Sequence, residues 1–152
     1  MQISSVKSKE LWNIVLLSFG FFFSMGTLLA CMLSETILLH GVQDSHFQGT
    51  PTMGYICLAL NFASLAVSYA LSPPLAAIFG SKLLIVVGAA LLTLSLSAYF
   101  RPLEITLYLS AMTQGLGSGI LWTVYSYFLT VNSTKETIGR NTGIFWVIFH
   151  CG

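Results

Sequence analysis

One stretch of 27 residues, 105–131, constrains this chain more than any other because it contains no charged side chain. As an α-helix it would rise about 40 Å, which is enough to cross the hydrocarbon core of a lipid bilayer, about 30 Å thick. Only 7% of the 152 residues are charged and 55% are hydrophobic, so polar side chains cannot cover a soluble globule. We therefore predict an all-α membrane protein, a polytopic helix bundle whose solvent is lipid.

Short polar turns divide the chain into a tail and five apolar segments. Residues 1–10 form a polar tail, and residues 11–152 form the predicted bundle. Pro73 and Pro74 lie inside the second segment, and because proline removes a backbone donor we expect a kink or a break there. The predicted segments are TM1 11–39, TM2 52–79, TM3 83–100, TM4 105–131 and the start of TM5, 142–152.

The fourth segment has two distinct faces at helical spacing. Small residues recur every four positions on one face, and in lipid such residues let two helix backbones approach closely. These helix-packing residues are Ala111, Gly115 and Gly119. The adjacent polar–aromatic face consists of Gln114, Ser118, Trp122 and Tyr125.

Polar side chains from three segments are predicted at one depth in the bilayer. Counting about 1.5 Å per residue from the outer helix ends, Asn61 and Gln114 both lie about 14 Å deep. Polar groups at this depth are costly unless they face a bundle interior or a wet cavity. They either line a shared cavity or bond across helices as packing contacts. The cavity-lining candidates are Thr27, Cys31, Glu35, Asn61, Ser64, Gln114, Ser118 and Trp122.

Several functional classes lack the residues that their chemistry requires. No Ser, His and Asp set and no paired carboxylates occur at bundle depth, so we predict no enzyme. The three cysteines lack metal-site spacing, and no basic cluster suits nucleic acid, so we expect no metal, no cofactor and no nucleic-acid partner. Glu35 is either a cavity carboxylate that binds a cation or a proton, or the wet outer end of the first helix.

The basic residues predict the orientation of the bundle. With four full crossings, five of the six fall on one side of the membrane and only Arg101 on the other, which places the N terminus in the cytoplasm. The five are Lys7, Lys9, Lys82, Lys135 and Arg140. The predicted location is therefore a multi-pass integral membrane protein with a cytoplasmic N terminus.

Two runs carry a resemblance to a known family: Leu121-Trp122-Thr123 and, further on, Gly-Arg-Asn-Thr-Gly-Ile-Phe-Trp at 139–146. They resemble the uncoordinated-93-like family of the major facilitator superfamily, nearest its domain-containing protein eleven subgroup. The family-motif residues are Gly139, Arg140, Asn141, Gly143 and Trp146. The resemblance implies a truncated N-terminal half of a twelve-helix, major-facilitator-like fold, whose first and fourth helices line a central cavity.

The resemblance also implies a function. Members of this family act as a regulatory partner of a potassium channel or as a trafficking chaperone for membrane receptors. Gly80 matches the glycine of the superfamily's loop between helices two and three, but Leu84 stands where its aspartate belongs, which puts classical transport in doubt. Arg140 is either a family-specific contact at the cytoplasmic surface or a positive-inside anchor.

We therefore expect a non-enzymatic regulator or trafficking partner of an ion channel or receptor, working in the lipid bilayer through helix–helix association with a membrane protein. One alternative is a major-facilitator secondary transporter of a small solute, with Glu35, Asn61 and Gln114 among its cavity residues. The other is a non-functional truncated form, because one complete half of the fold needs six helices and this chain stops within the fifth.

Overall fold

A computed structural model describes residues 2–41, 51–100 and 103–150, with the side chains of 2–10, 31–32, 34–41 and 51 outside that description. Within these ranges the chain is helical with short turns and no strand. The five helices are α1 Gln2–Gly41, α2 Pro51–Phe79, α3 Ser81–Ser97, α4 Glu104–Val131 and α5 Ile138–His150, and a 3₁₀ turn, Ala98–Phe100, extends α3. The predicted all-α membrane bundle is confirmed.

The inner helix of the bundle is α4. It packs along α2 and α3 and also meets α1 and α5, whereas α1 packs mainly against α5. Thirteen residues of α4 are buried, whereas only four residues of α3 are. Helix α3 therefore presents one side to the bundle and its other sides outward. The outward surfaces carry large apolar side chains such as Phe23, Tyr55 and Val86, which suit contact with lipid tails.

Three described segments are long and apolar enough to cross a membrane: Leu11–Ala30, Thr52–Phe79 and Ser81–Phe100. The 28-residue α4 is not among them, because glycines, hydroxyl residues and Gln114 dilute its apolar side chains. A helix surrounded by other helices can carry such residues, since protein rather than lipid covers them. The charged residues with described side chains are all exposed and lie near helix ends or in the α4–α5 turn: Lys82, Glu104, Lys135, Glu136 and Arg140.

The helices differ from the predicted segments in several respects. Helix α1 already begins at Gln2, so the backbone of the predicted tail is helical. Helix α2 continues through Pro73 and Pro74, so the expected break is not present. Membrane helices tolerate proline where other groups satisfy the freed carbonyl oxygens. Just before the two prolines, the Ser72 hydroxyl donates to the Ser68 carbonyl oxygen (2.6 Å). Helix α5 begins at Ile138, four residues before predicted TM5, so Asn141 lies inside the first turn and does not cap it.

Candidate functional site

Helix α2 carries a polar stripe at helical spacing, Asn61, Ser64, Ser68 and Ser72. This stripe packs against the small-residue face of α4. Asn61 Nδ2 donates to the carbonyl oxygen of Ala111 (3.3 Å), and Ser68 Oγ donates to that of Leu116 (2.8 Å). A Cβ atom added at Gly115 would collide with the carbonyl oxygen of Asn61, and one at Gly119 would lie 2.6 Å from Ser68 Cβ. The glycines therefore allow the two backbones to touch, and the amide and hydroxyl groups bridge them.

Two of the cavity-lining candidates lie inside this contact between helices. Asn61 and Ser64 are each 8% exposed, and the Asn61 amide already donates to Ala111. A Cβ added at Gly115 would lie 3.0 Å from Ser64 Cβ. The structure therefore brings Asn61 and Ser64 together with the packing residues of α4, on a face next to that of Gln114.

The polar–aromatic face of α4 is buried as well. Gln114 is 2% exposed, Ser118 6% and Tyr125 5%, and the Ser118 hydroxyl donates to the Gln114 carbonyl oxygen of its own helix (2.8 Å). Gln114 Nε2 and the Tyr125 hydroxyl have no hydrogen-bond partner among the described residues. A buried donor left unpaired costs about 1–3 kcal/mol, so these two groups need an acceptor that the described side chains do not provide.

An aromatic cluster joins the C-terminal half of α4 to α1 and α5. The Phe21 ring centroid lies 4.7 Å from that of Trp122 and 4.8 Å from that of Tyr125, and Tyr125 lies 3.7 Å from Phe145. Ring pairs at such distances add dispersion and quadrupole attraction to the burial of apolar area. The cluster consists of Phe21, Trp122, Tyr125, Phe145, Trp146 and Phe149.

The remaining candidates on α1 are separate from these contacts or outside the description. Thr27 is partly buried, and its hydroxyl donates to the Phe23 carbonyl oxygen within α1 (2.9 Å). The side chains of Cys31 and Glu35 lie outside the described residues. Gln114 and Ser118 thus share a face with Trp122, whereas Asn61 and Ser64 face α4 from another side.

The family motif begins at the first turn of α5 and contacts the turn that precedes it. Asn141 is 1% exposed; its Nδ2 donates to Ser133 Oγ (2.9 Å), and its Oδ1 accepts from the Arg140 guanidinium (3.3 Å). The backbone N–H of Thr134 donates to Thr137 Oγ1 (2.8 Å). Thr137 therefore provides the capping oxygen of this turn, and Ser133 binds Asn141.

The other motif residues of α5 lie wholly or partly on its outward side. A Cβ added at Gly139 or Gly143 would meet nothing within 4 Å. Trp146 is 41% exposed, and its ring stacks on that of His150 with centroids 5.4 Å apart. This side of α5 is therefore uncovered by the described helices.

Sequence reasoning missed the contact between α3 and α4. A Cβ added at Gly117 would lie 2.9 Å from the carbonyl oxygen of Gly88, so the two backbones approach closely there too. The Ser110 hydroxyl donates to the Ser95 carbonyl oxygen in the same contact (2.9 Å). The available signal was Gly88, which is the one glycine in the sequence of α3.

The turn between α2 and α3 contains no charge network among its described residues. Gly80 has a φ of 80°, a backbone conformation that glycine adopts at little cost. Leu84, at the position of the superfamily's aspartate, is 4% exposed and packs with Ala76, Ile120 and Val124. An ionised side chain at this position would lose its hydration without a described partner.

Apolar helices around a more polar inner helix, with charges at the helix ends, define a multi-pass integral membrane protein. A family model described as ion channel regulatory protein UNC-93 matches residues 46–152. The chain therefore belongs to the UNC-93 family, which confirms the resemblance seen in the sequence.

Individual relatives agree with this assignment. The UNC93-like protein MFSD11 of Xenopus laevis is 27% identical over 144 residues, and that of Xenopus tropicalis is 26% identical over the same length. Each alignment covers 95% of this chain and 32% of the relative, so the chain spans about a third of the length of the relatives it matches. No solved structure matches the chain.

Proposed function

We propose that this chain is a non-enzymatic regulator or trafficking partner of an ion channel or receptor, and that it acts by helix–helix association within the membrane. The observation that carries the proposal is the match of residues 46–152 to a family described as ion channel regulatory proteins. The matched residues include helices α2 to α5, so the proposed regulatory role rests on these four helices.

The turn between α2 and α3 supports a regulator over a transporter. The charge network that the superfamily resemblance implies for this loop is replaced by apolar packing around Leu84. A transport cycle in which charge pairs break and form again at this loop would need the aspartate, and Leu84 stands in its place. A protein that only binds another membrane protein does not need one.

The outward side of α5 supports association as the mode of action. Gly139 and Gly143 are exposed and spaced one turn apart, with Val147, 62% exposed, one turn further on. The glycines of α4 are already covered by α2 and α3, but those of α5 meet no side chain or backbone. A transmembrane helix of a channel or receptor would approach the α5 backbone closely at these glycines.

Co-purification from cells that express the chain with an epitope-tagged potassium channel or receptor tests the proposal. Gly143→Leu should reduce the captured partner several-fold, because the larger side chain blocks the approach of a helix. Gly20→Leu on α1 is the matched control, since Gly20 also meets nothing within 4 Å. Failure to capture either class of partner, together with solute uptake by proteoliposomes that contain the chain alone, would contradict the proposal.

A secondary transporter of a small solute is the second candidate, and one observation favours it. Gln114 Nε2 is a buried donor without a described partner, and transporter sites of this superfamily type lie near the bilayer midplane. Gln114→Leu should then abolish uptake in proteoliposomes, with Ser97→Ala as a control because the exposed Ser97 hydroxyl donates to Leu94 of its own helix. Unchanged uptake by Gln114→Leu would remove this residue from the transport path.

A further inference from the structure

The described charges are divided unequally between the two ends of the bundle. Leu84 of α3 packs with Val124 of α4, so α3 begins beside the end of α4, and α5 begins after the turn that follows α4. Glu104, at the start of α4, lies at the opposite end of the bundle. Three exposed cations share the end at which α4 finishes, and we call it the basic end: Lys82, Lys135 and Arg140.

Among the described residues, no ion pair neutralises these three cations. Arg140 alone has a side-chain contact: its Nε and Nη2 donate to Asn141 Oδ1 (3.4 and 3.3 Å). A guanidinium carries five N–H donors, so Arg140 has others left for a ligand while the buried Asn141 orients it. Glu136, the acidic residue beside Lys135, is exposed and makes no described contact with the cations.

Two of the cations stand at an electrostatically unfavourable place on their own helices. Lys82 lies in the first turn of α3 and Arg140 in that of α5, and neither turn contains an acidic residue. The backbone N–H groups of a first turn carry partial positive charge, which repels a cation and attracts an anion. Helix α4, which begins at the opposite end, has Glu104 in its first turn instead. An anion at the basic end would therefore be attracted by the three side chains and by the two helix ends.

Exposed aromatic side chains place the basic end at the membrane surface. Tyr127 is 48% exposed about one turn before α4 ends at Val131. Trp12 of α1 is 63% exposed and lies two residues before Ile14, which packs in one cluster with Leu129. Tyrosine and tryptophan are enriched where lipid headgroups meet the hydrocarbon core. The anions that surround the basic end at this depth are those of lipid headgroups.

We propose that the basic end binds the headgroups of an anionic lipid, phosphatidylserine, through Lys82, Lys135 and Arg140. Charge complementarity selects this partner, because an anionic leaflet attracts lysine and arginine side chains close to the membrane. Arg140 also donates to Asn141, which donates to Ser133, so a bound headgroup holds the turn before α5 at the membrane surface. The inference does not depend on the proposed function, because it concerns how this end of the bundle meets the bilayer.

Spin-labelled lipids test the proposal on the whole chain. The chain is reconstituted in phosphatidylcholine vesicles with a trace of spin-labelled phosphatidylserine or, separately, spin-labelled phosphatidylcholine. Electron spin resonance then gives the fraction of each label that is immobilised at the protein. At low salt, phosphatidylserine should be preferred about fivefold, and the preference should fall at about 1 M salt, where the Debye length is only about 3 Å.

Substitutions assign the preference to the basic end. Arg140→Gln should reduce it several-fold, whereas Arg140→Lys should keep it because the charge remains. Arg101→Gln is the matched control, since it removes one cation that the topology predicts on the opposite side of the membrane, and it should leave the preference unchanged.

A second variant decides if Arg140→Gln fails to fold. Lys82→Gln combined with Lys135→Gln should also reduce the preference several-fold, and neither lysine makes a described side-chain contact that the fold would lose. The proposal is overturned if the unsubstituted chain binds both lipids equally. It is also overturned if the double lysine variant keeps the full preference, or if Arg101→Gln loses as much of it as Arg140→Gln.

Discussion

Among the described glycines, Gly115 is the one at which an added Cβ atom would lie closest to a neighbouring helix. Gly115→Ala should lower the free energy of unfolding by about 1–3 kcal/mol, because the added methyl group meets the Asn61 carbonyl oxygen, which belongs to the backbone and cannot rotate away. The measurement is the thermal midpoint of the detergent-solubilised chain.

Gly20→Ala is the matched control for this substitution. Gly20 lies in a helix of the same bundle, but its added methyl group meets nothing within 4 Å. Alanine also favours helix over glycine, so this variant should be unchanged or slightly more stable. A Gly115→Ala variant as stable as Gly20→Ala would show that α2 and α4 do not touch at this glycine.

Asn141 anchors the first turn of α5 to the turn that precedes it, through Ser133. Asn141→Ala should cost about 1–3 kcal/mol, because the change removes a buried amide that holds both Ser133 and Arg140. Limited proteolysis of the turn before α5 should become faster. Asn132→Ala is the control, since its amide bonds only to Phe128 of its own helix among described contacts and should have a smaller effect.

At the scale of elements, periodicity predicted which residues share a helix face but not which helix that face meets. The stripe from Asn61 to Ser72 and the stripe of Ala111, Gly115 and Gly119 were each visible in the sequence, but their mutual contact was not. Spacing alone therefore could not decide whether Asn61 lines a cavity or bonds to a neighbouring helix. Gly117 was missed because an offset of two residues turns it away from the stripe and toward α3.

Local signals near the turn before α5 were also ambiguous. Glycine often ends helices, yet Gly139 lies in the first turn of α5. The sequence contains two possible capping pairs, Ser133 with Glu136 and Thr134 with Thr137, and only the tertiary contact of Ser133 with Asn141 decides between them. The choice between the two capping pairs therefore depends on Asn141, which lies eight residues after Ser133.

At the scale of the whole molecule, the positive-inside bias predicts a cytoplasmic N terminus. In cells whose plasma membrane alone is permeabilised, an antibody should reach an N-terminal epitope and an epitope in the turn at 132–137. An epitope inserted in the segment 42–50 should be reached from the opposite side of the membrane. Endoglycosidase-sensitive sugar on Asn132, which is followed by Ser133 and Thr134, would reverse the orientation.

The modest apolarity of α4 bears on how the chain is made. A helix that emerges from the ribosome with Gln114 and several glycines and hydroxyls gains little from entering lipid alone. Its partners α2 and α3 precede it in the chain, so they are already at the translocon when α4 arrives. We expect α4 to enter the bilayer by docking on them, and a ribosome-bound chain that lacks α2 should leave α4 outside the membrane.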